Sequence, residues 1–125
     1  MLLLQVTLAV KILLTLSLWS LPLLLKPRLV LPNGTPSGHV IVRGLGASNL
    51  ALLVMYAFGL ATTLHGVVPW YAIGAGLVSN GLGFAFATHG LRNARDPRER
   101  TINRFNALML GGITAGLATS AALLC

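Results

Sequence analysis

Residues 2–25 read LLLQVTLAVKILLTLSLWSLPLLL, and this stretch decides the fold class. Lys11 is its one charged residue, and Pro27 stands just beyond its end. As an α-helix rising 1.5 Å per residue it measures roughly 35 Å, enough to cross an apolar core of about 30 Å with some tilt. It lacks the basic start and small-residue cleavage site of a secretory leader, so the sequence predicts a retained helix.

The rest of the chain repeats the theme. Of its 125 residues, 55% are hydrophobic and only 9% charged, too little polar material to clothe a water-soluble domain of this size. Three further apolar segments follow, about 46–65, 70–89 and 105–124. Gly66 and Pro69 break the chain between the first two of these, and Trp70 and Tyr71 suit the headgroup level at the start of the next. Asp96-Pro97-Arg98-Glu99 combines a capping aspartate, a first-turn proline and a glutamate at the third helical position, which moves the predicted start of the last helix back to residue 97. The expectation is an all-α, polytopic membrane protein: one transmembrane domain over 1–125, a four-transmembrane-helix bundle with helices at about 2–25, 46–65, 70–89 and 97–124. Loops lie at about 26–45 and 90–96. Asn33-Gly34 predicts a turn, with Leu29–Leu31 and Val40–Val42 available as the arms of a short interfacial hairpin.

Charge placement orients the prediction. Lys26, Arg28 and Arg43 fall in the first connection, and Arg92, Arg95, Arg98, Arg100 and Arg104 fall in or beside the last. With four crossings these lie on one side of the bilayer, and the opposite side has no Lys or Arg. Positive residues near helix ends resist translocation, so both termini are expected outside the cytoplasm, in a bacterial inner membrane. The formal charge of +7 is therefore read as topology, not as a nucleic-acid surface.

Lys11 is the residue with most to explain, because an ammonium in an apolar helix costs about 2.5–3.5 kcal/mol on insertion scales. Thr7 and Thr15 share its helical face at i−4 and i+4, and Thr62 and Thr119 are expected at its depth on other helices. Asn80 and Tyr56 are expected to meet near mid-membrane. Small residues recur on the last two helices, where Gly76, Ser79, Gly83, Gly112 and Gly116 predict close helix packing. The five arginines from Arg92 to Arg104 suit anionic headgroups or a cytoplasmic partner.

Both acidic residues, Asp96 and Glu99, lie outside the apolar segments, which disfavours a carboxylate proton relay or a cation site. His39, His65 and His89 are split between the two sides, and Cys125 is the one cysteine, so neither a metal site nor a cofactor is expected. No apolar segment offers a base and nucleophile pair, which argues against an enzyme. Two functions remain. One is a non-catalytic accessory, structural or anchoring subunit, with the bilayer and other membrane subunits or further copies as partners. The other is a homo-oligomeric transporter or channel for a small neutral or anionic solute.

Overall fold

A computed structural model describes residues 1–125, and every regular element in it is helical. Helix α1 runs Leu2–Leu25, with a π-helical stretch at Thr15–Ser20. A single turn, α2, covers Pro27–Val30; α3 spans Pro36–Leu64, α4 Trp70–Asn93 and α5 Pro97–Leu124. Helices α1, α3 and α5 are each long and apolar enough to cross a membrane. Helix α4 has the length, but five glycines, Asn80 and His89 dilute its apolarity.

Only 24 of 125 residues are buried, while Leu2, Leu13, Phe58, Phe86, Leu108 and Leu123 are each more than 60% exposed. Water would not tolerate so much apolar surface, and lipid is the solvent that suits it. These helices make a small membrane protein.

Local chemistry explains the boundaries. Lys26 leaves helical geometry at φ −133° and ψ 61°, and Pro27 opens the next turn. Helix α3 begins ten residues earlier than the expected 46. The Thr35 hydroxyl accepts from Gly38 N at 3.1 Å, and Pro36 sits at the first helical position, where its missing N–H costs nothing. This cap removes the hairpin: Val40–Val42 are helical, and the Asn33-Gly34 region keeps only the turn. Helix α4 likewise continues to Asn93, beyond the expected 89. At the start of α5 the Asp96 carboxylate accepts from Glu99 N at 2.8 Å, and the Glu99 carboxylate reaches back to Arg95 N at 3.2 Å. Gly66 makes the turn between α3 and α4 at φ +76°, where a Cβ would be strained.

The long helices run alternately up and down. Gln5 Nε2 donates to Thr63 O at 3.3 Å at one end of the α1/α3 pair, and Gly46 sits against Leu23 and Leu24 near the other. Helices α4 and α5 pack closest. A Cβ on Gly76 would lie 2.5 Å from Leu117, one on Gly83 2.9 Å from Leu110, and one on Gly90 2.9 Å from Asn103. Both members of these pairs step by seven residues, so a glycine on α4 takes a side chain from α5 every second turn. A seven-residue repeat on 3.6-residue helices implies a left-handed supercoil. Gly116 admits Thr7 of α1, and Ser79 turns toward α3, but Gly112 has nothing within 4 Å of a Cβ and faces outward. It is not a packing residue inside the bundle.

The core is one-sided. Leu4 and Leu8 of α1, Tyr56 of α3, Ala72 and Ile73 of α4, and Ile113 and Leu117 of α5 form one buried cluster in the half that carries both termini and the Gly66 turn. Toward the opposite end the α1/α3 pair separates from α4/α5, and cavities take the place of side chains.

Candidate functional site: a lysine over a polar cavity

Lys11 lies where the packed half gives way to the open half. It is 6% exposed, turned into the bundle and away from lipid. Its Nζ donates to Asn80 Oδ1 at 2.9 Å and, more weakly, to Thr15 Oγ1 at 3.4 Å, and it stands 4.8 Å from the centre of the Tyr56 ring. The ring face carries negative electrostatic potential, so it supports the ammonium as the amide oxygen does.

Each partner is held in place. Asn80 Nδ2 donates to Gly76 O at 2.6 Å, one turn back along α4, and this leaves Oδ1 pointing at Lys11. The Tyr56 hydroxyl is 3.1 Å from Ser79 Oγ, which keeps the ring under the ammonium. Lys11 and Asn80 meet because each lies about ten residues into a helix that starts at the same end of the bundle.

An ammonium has three donors, and two are used. Beside Lys11 lies a cavity of about 200 Å³, lined also by Thr15, Trp19, Asn49, Ser79 and Asn80, with Leu14, Gly83, Met109, Leu110 and Ile113 as its apolar wall. A molecule of liquid water occupies about 30 Å³, so the space suits a small solute or a few waters. No acidic side chain lines it. The site therefore presents a buried positive charge that neutral oxygens solvate but do not cancel, beside amide and hydroxyl groups able to donate.

Trp19 extends the arrangement. It lines this cavity, an adjoining one of about 280 Å³ that reaches Asn103 and Asn106, and a third of about 670 Å³ rimmed by Asp96, Arg98, Glu99 and Phe105. Together these spaces follow the open half from Lys11 toward the arginine-bearing end. Trp19 Nε1 is buried without a hydrogen-bond partner, as is Ser20 Oγ. An unpaired buried donor is costly and rare, and here it stands at the junction of the cavities. Both residues fall in the π-helical stretch that precedes Pro22. Pro22 has no N–H to continue the α-helical ladder, and the wider turn before it absorbs the break.

The residues singled out by sequence are thus sorted by position. Lys11, Thr15, Asn80 and Tyr56 converge. Thr7 is buried but bonds back to Leu3 O at 2.8 Å and packs on Gly116. Thr62 belongs to the turn end, donating to Phe58 O at 2.7 Å with the Tyr71 hydroxyl 3.4 Å away, and Thr119 is exposed on the outside of α5. Neither shares the depth of Lys11. Tyr56 bonds Ser79 in place of Asn80. Trp19, Asn49 and the lining role of Ser79 were missed, although Pro22 was the signal that the first helix would change its winding near Trp19.

The five arginines from Arg92 to Arg104 are all exposed at the open end. His39 Nε2 pairs with Leu31 O at 2.9 Å, His89 with Asn93 at 3.2 Å, and His65 caps α3 at the opposite end. The chain matches no protein-family model, no curated protein and no solved structure.

Proposed function

We propose that this chain is a four-crossing membrane protein that binds a small anionic solute at Lys11 and passes it across the bilayer. The observation that carries the reading is the inward ammonium of Lys11, held by Asn80, Thr15 and Tyr56 beside a cavity without acidic residues. A partner-seeking lysine on the lipid face would favour an anchor, and Lys11 is not on that face. Helix α4 serves as the fourth crossing: Gly76, Gly83, Gly90 and Asn80 turn toward neighbours and cavity, while Gly74 and Gly81 meet no other helix, so part of its modest apolarity reflects packing within the bundle. The 26–35 and 94–96 connections face the cytoplasm, because eight of nine basic residues cluster toward that end. The five arginines from Arg92 to Arg104 outnumber Asp96 and Glu99 and leave that end net positive, although the two carboxylates share with Arg98 the rim of the cavity that opens there.

Reconstitution tests this reading. Proteoliposomes holding the protein in known orientation should pass at least one anion from a panel of chloride, nitrate, formate, acetate and bicarbonate, and Lys11→Met should abolish that flux. Folded, oriented protein that passes none of them contradicts the proposal.

A second reading has its own support. Gly112, Ala115 and Thr119 leave a stripe of small exposed residues on the outside of α5, the kind of face on which membrane helices associate. On this reading the chain is an accessory or anchoring subunit, or assembles with copies of itself. Recovery of the same stoichiometric partner from native membranes, lost with Gly112→Leu, favours it.

A further inference from the structure

At the arginine-bearing end, away from the Lys11 cavity, the break between α1 and α2 and the first turns of α3 enclose a groove of about 540 Å³. Lys26 lines it from the break and Arg28 from α2, and His39 and Arg43 line it from α3. No acidic residue takes part. The other basic cluster differs, since Asp96 and Glu99 lie among its arginines.

The groove is also half apolar. Leu29 and Val40 belong to its wall and remain 66% and 68% exposed, so the basic pocket opens directly onto surface that suits hydrocarbon. Its shape is held by local bonds: Leu31 N donates to Pro27 O at 2.9 Å, and His39 Nε2 stands 2.9 Å from Leu31 O, tying the 31–34 turn to α3. Three cations from two separate elements, beside an apolar flank at the end of the bundle, match a phosphate with an acyl chain attached. From charge complementarity and this continuity we infer that the groove is a binding site for the headgroup phosphate of an anionic phospholipid, with Lys26, Arg28 and Arg43 on the phosphate and the acyl chain along Leu29 and Val40. The site is independent of the solute reading, because none of its residues lines the Lys11 cavity.

Native mass spectrometry of the detergent-released full chain, titrated with phosphatidylglycerol or phosphatidylcholine, tests the assignment. The unaltered protein should bind the anionic lipid at least about tenfold tighter. The pair Lys26→Gln and Arg43→Gln should weaken that binding about twenty-five-fold, at roughly fivefold for each charge, and the pair Arg98→Gln and Arg100→Gln less than about fivefold. Glycerol phosphate, which carries the anion without acyl chains, should fail to compete. Equal binding of the two lipids overturns the inference without reference to any variant. So does equal weakening by both pairs, or full competition by glycerol phosphate, which would make the site one for soluble phosphates.

Discussion

The two halves of this bundle use the same small residues for different ends. In the half that carries the termini, Gly59 and Gly76 let helices close until Tyr56, Ile73 and Leu117 are essentially sealed. In the half toward the arginines, Gly83 does the same for α4 and α5, yet the α1/α3 pair stands off and leaves the spaces that Trp19 lines. Small residues bring helices together in lipid, but they build a core only where a third and fourth helix arrive to fill the layer. Lys11 sits at that change. Its stem is packed, and its ammonium reaches the first layer that is left unfilled.

Matched substitutions can break this contrast, and the largest effect is expected in the closed half. Gly76→Ala places a methyl against Leu117, which is 0% exposed and has nowhere to move. It should lower stability by about 3 kcal/mol in denaturant or thermal unfolding in detergent. Gly83→Ala meets Leu110 at 2.9 Å, a milder overlap than the 2.5 Å at Gly76, and Leu110 borders the cavities and can turn aside, so the loss should stay below about 1 kcal/mol. Equal losses would show the two halves to be equally packed.

Removing the cap of α5 comes next. Asp96→Ala should cost about 1 kcal/mol by the same unfolding assay, with Asp96→Asn recovering most of it. The smallest loss is expected at Gly112, where a Cβ meets nothing. Gly112→Ala should cost no stability and can gain up to about 1 kcal/mol from helix propensity, and a loss would place that face inside an interface.

Sequence carried the helices well and their partnerships poorly. The apolar runs and the Asp96 cap announce their elements because each depends on neighbours in the chain. Thr35-Pro36 announces a helix start in the same way, but Asn33-Gly34 beside it suits a hairpin turn, and the apolar run alone places the start of α3 ten residues late. Lys11, Asn80, Tyr56 and Thr15 were each legible as polar residues in apolar surroundings. Their meeting depends on which helices are diagonal and on depth measured from the true helix ends. Counting from the shared end pairs Lys11 with Asn80, whereas Thr62 lies only a few residues from the end of α3. The Gly76, Gly83 and Gly90 series is plain at a spacing of seven and hidden at four. Trp19 owes its position to a local winding change that no apolar periodicity encodes, although Pro22 marks where it must occur.

Trp19 also provides the most direct measurement of the central claim. In a Trp70→Phe background it is the one remaining tryptophan, with its indole N–H unpaired beside the Lys11 cavity. Titration of the purified protein with small anions, followed by Trp19 emission, should give a saturable change for at least one of them, and that change should vanish in Lys11→Met. Emission that stays flat for every anion, or a titration that Lys11→Met leaves intact, would contradict an anion site at Lys11.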